Sequence, residues 1–158
     1  LHNLPNVDVD YSPKASASGK STADLQSNFQ LQFQTGDAIN FPFQNGSFDI
    51  VISVGSIKHW SGGKRGLQEI RRVLTPNGCA FIAESDRVAT DEELYRFASK
   101  FTTWYVWDKF MRWYLRRVVF GQSCTKKEAE LMAKGAGFSQ LLVEKVLESL
   151  FFLLKLQK

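Results

Sequence analysis

The chain has 158 residues, 44% of them hydrophobic and 23% charged, which suits one globular domain (residues 1–158) whose core needs no staples. Its formal charge of +4 is small and gathered in two clusters, Lys64 to Arg72 and Arg112 to Arg117, the usual pattern of solvated helix faces and an argument against a nucleic-acid partner. No apolar run reaches membrane-spanning length, "LHNLPNVDVD" has no signal-peptide pattern, and Cys79 and Cys124 have neither metal nor disulfide spacing, so reduced thiols in a cytoplasmic protein are expected.

In chain order, "NVDVDYSP" reads as a short strand over Val7 to Asp10 followed by a Ser-Pro helix start, and "KASASGKSTADLQSN" as a weak helix. "FQLQFQ", Phe29 to Gln34, alternates strictly, as a half-buried edge strand does. After Asp37, a Pro-Phe corner and the Asn45-Gly46 turn lead into "FDIVISV", an unbroken apolar run expected to be a strand covered on both faces. "GGKRGLQEIRRVL" sets Leu67, Ile70, Val73 and Leu74 at helical spacing, and "TPNG" should stop that helix with a turn before the apolar strand "CAFIAE". Strands alternating with helices predict a parallel sheet in an α/β domain.

The second half opens two helices with capping boxes, Thr90 with Glu93 and Thr125 with Glu128. Between them the aromatic run "TTWYVWDKFMRWYLRRVVF" reads as helical, and three roles stay open for it: core packing, a lid within residues 87–122, or contact with a membrane surface through its rings and arginines. "SQLLVEKVLESLFFLLKLQK" holds two strand-like runs bending near Glu148-Ser149, expected to form a terminal antiparallel hairpin.

Ligands of open α/β sheets bind beyond the carboxyl ends of the strands. Three such ends carry suitable groups: Asp10-Tyr11, Asp37-Ala38 and Ser53-Val54-Gly55. A carboxylate there can accept from ribose hydroxyls, and an acid beside a backbone N–H can pair an adenine edge. Each residue also has a plainer reading. Asp37 can cap its own turn, Asp10 can serve as a helix-capping acid, and His59 can be a half-buried structural histidine beside Trp60. Glu84, ending "CAFIAE", is not read as catalytic, and Cys79 reads as a small core residue.

The segments "VDVDYSP", "GDAINFPFQNGSFDIVISVGSIKHW", "LQEIRRVLTPNGCAFIAES" and "AGF" resemble the class I S-adenosylmethionine-dependent methyltransferases, in particular the type 11 methyltransferase-domain group. The resemblance implies a Rossmann-like sheet with helices on both faces, S-adenosylmethionine as cofactor, and methyl transfer to a small-molecule acceptor of apolar character. It implies that Asp10 binds the ribose, Tyr11 packs near the adenine, Asp37 and Ala38 meet its edge, and Ser53 and Val54 flank the methionine end. Ile57, Trp60, Trp104 and Trp107 would line the acceptor's approach, with His59 as the candidate base. The family also places a strand and a glycine-rich loop ahead of the residue matching Asp10, and this sequence has neither. A chain incomplete at its N-terminus is therefore expected, with a gap beside the strand ending at Ser53. The competing expectation is a degenerate member of the fold acting as a non-catalytic interaction module.

Overall fold

A computed structural model describes residues 6–10, 31–99, 110, 113–146 and 150–158. Two sheets carry the architecture. The first pairs β1 (Asn6–Asp10) with β2 (Leu31–Thr35) in parallel, Asp10 standing opposite Thr35. The second has the order β3-β4-β6-β5, built from β3 (Phe48–Val54), β4 (Leu74–Ser85), β5 (Gln140–Lys145) and β6 (Phe151–Gln157). β3 and β4 are parallel, whereas β6 runs antiparallel to both β4 and β5, so the expected terminal hairpin is present. The predicted weak helix and the stretch around Trp104 and Trp107 lie outside the described residues.

On the larger sheet and its ends pack the helices α1 (Gly63–Val73), α2 (Asp91–Ala98) and α3 (Lys126–Ala136). The apolar stripe of α1, with Leu67 and Ile70 almost fully buried, meets Ala80 and Ile82 of β4 and Phe152, Leu154 and Leu156 of β6. Ala129 and Ala133 of α3 complete this core, and their small side chains let the two helices approach closely. A second cluster, around Leu94, Leu115, Phe120 and Leu150, seats α2 and the π-type turn Leu115–Val119 beyond the end of β4.

Both capping boxes form as read. Thr90 accepts from the Glu93 N–H while Glu93 accepts from the Thr90 N–H, and Thr125 with Glu128 repeats the pattern. Each box satisfies two helix-end donors that would otherwise be orphaned. Thr125→Ala is expected to cost about 1 kcal/mol in urea denaturation, because α3 contributes three alanines to the main core.

Two expectations are corrected. "TPNG" is not a free turn: the chain leaves α1 at Val73 and enters β4 at once, and the extra residues bulge, since Phe48 faces Leu74 but Ile50 faces Cys79. A Cβ at Gly78 would stand 3.1 Å from the carbonyl oxygens of Phe48 and Asp49, which is why this close crossing takes a glycine. Nor is β3 covered on both faces. Val51 packs on the core, but Ile50, Ile52 and Val54 are 57%, 72% and 70% exposed. Their apolar character anticipates a covering layer, and among the described residues no strand pairs with β3 opposite β4 and nothing shields that face. Among the described residues the strands form two separate sheets, β1-β2 and β3-β4-β6-β5, with β3 at an open edge as the gap expected beside the strand ending at Ser53 implies.

Candidate functional site

One wall of the site grows from the end of β2. After Thr35 the chain turns at Asp37, whose Oδ1 accepts from the Ile39 N–H at 3.1 Å while its carbonyl accepts from the Asn40 N–H at 2.9 Å. This is the local turn that an aspartate favours. The Asp37 side chain nevertheless stays exposed, and together with Gly36 and Ala38 it lines a cavity of about 780 Å³.

The loop behind Asp37 is held by α1 through two charged side chains. Glu69 Oε2 accepts from the Phe41 N–H at 3.1 Å. Arg72 donates to the carbonyls of Phe41 (3.0 Å) and Phe43 (2.8 Å), to Asn45 Oδ1 (2.8 Å) and to both oxygens of Glu69. The Arg72 carbonyl in turn accepts from Gly46, which adopts φ +68° in the Asn-Gly turn. A planar guanidinium suits this task because its donors point in fixed directions and can reach several acceptors together. The hydrogen bond from Arg72 is the largest influence on Glu69, whose carboxyl is held below its ordinary range despite burial. A depressed acid contributes stability above its unfolded value and loses it as pH falls through the folded one. Acidifying below the ordinary carboxylate range is therefore expected to loosen this loop, seen as faster amide exchange at Phe41.

The opposite wall is the end of β3. Ser53 is hydrogen-bonded to Ser56 by its hydroxyl, and Gly55 between them turns at φ +62° with its N–H donated to the Ala83 carbonyl at 2.8 Å. A 3₁₀ turn, Ile57–His59, follows. Its first N–H, from Ile57, is donated to Glu84 Oε1 at 2.7 Å. Glu84 is fully buried at the end of β4, and burial raises its pKa, with the Ile57 and Ser56 N–H groups, Lys58 and His59 pulling the other way.

The cavity brings together Asp37, Ala38, Ser53, Val54, His59 and Trp60, six of the residues singled out from the sequence. Ile57 lies behind it, 5% exposed in the main core, and His59 is exposed, not half-buried as a structural histidine would be. Asp10 ends β1 opposite Thr35, two residues before Asp37, while Tyr11, Trp104 and Trp107 fall outside the described residues. Sequence reasoning overlooked Glu69, Arg72 and Ser56. The available signal for the first two was an acid and an arginine three residues apart on one helix.

The model of the family called methyltransferase domain matches residues 4–82, half of the chain and both walls of the cavity. This chain belongs to that family. Among curated proteins it is 36% identical over 93 residues to a demethylmenaquinone methyltransferase of Beutenbergia cavernae, covering 58% of this chain and 37% of that one. It is also 44% identical over 45 residues to a 2-methyl-6-phytyl-1,4-hydroquinone methyltransferase of Oryza sativa subsp. japonica, covering 28% of this chain and 13% of the relative. The methyltransferase-domain chain thus spans well under half the length of these relatives. In fold it is similar to a SAM-dependent methyltransferase from Thermotoga maritima, with a TM-score of 0.67 at 17% identity over 95% of this chain and 72% of the other. That likeness places the methyltransferase-domain chain in the Rossmann-like class. Among the described residues, no helix is long and apolar enough to cross a membrane.

Proposed function

We propose that the cavity between the ends of β2 and β3 is the nucleoside and methionine side of an S-adenosylmethionine site, and that the chain's reaction is methyl transfer to a small apolar acceptor in the cytoplasm. The observation that carries this reading is the convergence of Asp37, Ala38, Ser53 and Val54, from two separate strand ends, on one cavity. Its size of about 780 Å³ falls in the range of small-molecule and cofactor pockets. The donor set fits as well. Asp37 keeps one carboxylate oxygen without a partner among the described residues, suited to an amino group at an adenine edge, and the Ser53–Ser56 hydroxyl pair offers polar contacts at the other end.

When bound, S-adenosylmethionine supplies a methyl group on a sulfonium, whose carbon–sulfur bond breaks toward sulfur as the acceptor's lone pair forms the new bond. The chain's own residues contribute orientation and exclusion of water. Asp37 and Ala38 fix the adenine, Asp10 the ribose with Tyr11 beside it, and Ser53 and Val54 the methionine end. Trp60 walls the acceptor's approach, with Trp104 and Trp107 of the 87–122 segment as its lid. His59, exposed and lining the cavity, would take a proton if the acceptor is a hydroxyl. The quinone and phytyl-hydroquinone named for two relatives support an apolar ring acceptor. A nucleic-acid acceptor is disfavoured, because Arg72, Arg87, Arg96 and Arg116 each already face a carboxylate.

The open side of β3 favours a second reading, a non-catalytic member of the family that presents this edge to a partner. Calorimetry with S-adenosylmethionine separates the two, using the 158-residue chain and a form extended upstream so that a strand can pair with β3. The expected result is micromolar binding once β3 is paired, weakened about tenfold, or roughly 1.4 kcal/mol, by Asp37→Ala. No heat from either form would overturn the enzyme reading.

A further inference from the structure

The buried end of β4 is tied to the cavity by a contact that the cofactor reading does not use. Glu84 is 0% exposed, and its Oε1 holds the first N–H of the 3₁₀ turn that carries His59 and leads to Trp60. The residue preceding the turn, Ser56, makes no cap with its own side chain, since its hydroxyl is engaged with Ser53. The turn therefore lacks the local cap that a serine normally gives, and a carboxyl from the neighbouring strand stands in for it. Placing a carboxyl there is costly. Oε2 is buried without a hydrogen-bond partner among the described residues, and an apolar residue of similar volume would avoid that cost. A group retained at such a cost in the core, with its one satisfied oxygen holding the start of the turn that leads to His59 and Trp60 of the cavity, is explained by what it holds in place.

We propose that Glu84 is the positioning residue of this site: by gripping the Ile57 N–H it fixes the 3₁₀ turn, and so sets where Ser56, His59 and Trp60 stand around the cavity. Glu84 does not itself line the cavity and touches no reacting atom, so its influence passes through the backbone of the turn. The same strand end is anchored on its other side, where the buried hydroxyls of Ser85 and Ser123 are hydrogen-bonded. The Glu84 grip is thus exerted from a rigid point, β4 being paired on both edges. The inference rests on the methyl-transfer reading only for the consequence in cofactor affinity, not for the grip itself.

The test compares the chain with its Glu84→Leu and Glu84→Gln variants, measuring amide hydrogen exchange at Ile57, urea stability and S-adenosylmethionine affinity in the β3-paired form. Glu84→Leu should lose at least about tenfold of the exchange protection at Ile57 with only a modest change in global stability, because the apolar side chain and the loss of an unpaired oxygen offset part of the cost of leaving the Ile57 N–H without its acceptor. Glu84→Gln keeps a carbonyl acceptor and should restore that protection to within about threefold. Affinity should follow protection, falling about tenfold in Glu84→Leu and returning in Glu84→Gln. Unchanged Ile57 protection in Glu84→Leu overturns the proposal, as does equal global destabilisation by both variants, which would make Glu84 a packing residue alone. If the parent form itself gives no binding heat, the cofactor reading fails, and the exchange pattern still decides the role of Glu84.

Discussion

Arg72→Ala is expected to cost about 2–4 kcal/mol of folding stability and to release the loop from Asp37 to Asn45. The magnitude follows from what the guanidinium leaves behind. Glu69 is only 6% exposed at its side chain, so removing Arg72 strands a buried carboxylate whose remaining ion-pair partner among the described residues, Arg65, sits 3.7 Å away and is 62% exposed. The carbonyls of Phe41 and Phe43 and the amide oxygen of Asn45 lose their donor in the same step. A fully buried broken pair would cost 3–5 kcal/mol. Arg72 is itself 30% exposed, which lowers the figure, since water can reach part of the vacated space. Urea denaturation measures the loss, and exchange at Phe41 and Gly46 should rise further than the global change requires. Glu69→Gln should be milder, because it keeps an acceptor for the Phe41 N–H, and the cation it leaves, Arg72, is 30% exposed and retains the Phe41, Phe43 and Asn45 oxygens as acceptors. If Arg72→Ala proves neutral, the loop must be held by Phe41 and Phe43 packing alone.

Legibility in the sequence followed how local each determinant is. The capping boxes at Thr90 and Thr125 were readable because their partners lie three residues away on one chain segment. The hairpin of β5 and β6 and the strands ending at Asp10 and near Asp37 were readable from alternation and apolar runs. The covering of β3 was not, because "FDIVISV" encodes only an apolar demand; whether Ile50, Ile52 and Val54 are met by a neighbour depends on elements elsewhere. The candidate site divides along the same line. Asp37, Ala38, Ser53 and Val54 were readable as strand ends, whereas the contacts of the Glu69–Arg72 clamp with its loop and of Glu84 with its turn join residues 27 to 31 positions apart, which the i,i+3 spacing of Glu69 and Arg72 does not reveal.

Gly66→Ala is expected to destabilise the fold by about 1–3 kcal/mol, opposite in sign to the change that helix propensity predicts. Within a helix interior, alanine in place of glycine gains roughly 1 kcal/mol. Here the new Cβ would lie 2.4 Å from the Trp60 ring, with further ring atoms at 2.8 and 3.0 Å. A fused ring cannot bend away as a flexible chain can, so Trp60 must swing off α1 and surrender its packing on the main core. Trp60 also forms part of the cavity wall, so the same substitution should reshape the site and weaken ligand binding more than the lost stability alone would. Gly63→Ala, one turn earlier, is the internal control. Its Cβ would meet the Met132 Sδ at 2.6 Å, and a thioether with several rotatable bonds can move aside. Gly63→Ala should therefore be near neutral in urea denaturation while Gly66→Ala is not. Equal effects at the two positions would show that close approach to the Trp60 ring is not what keeps residue 66 a glycine.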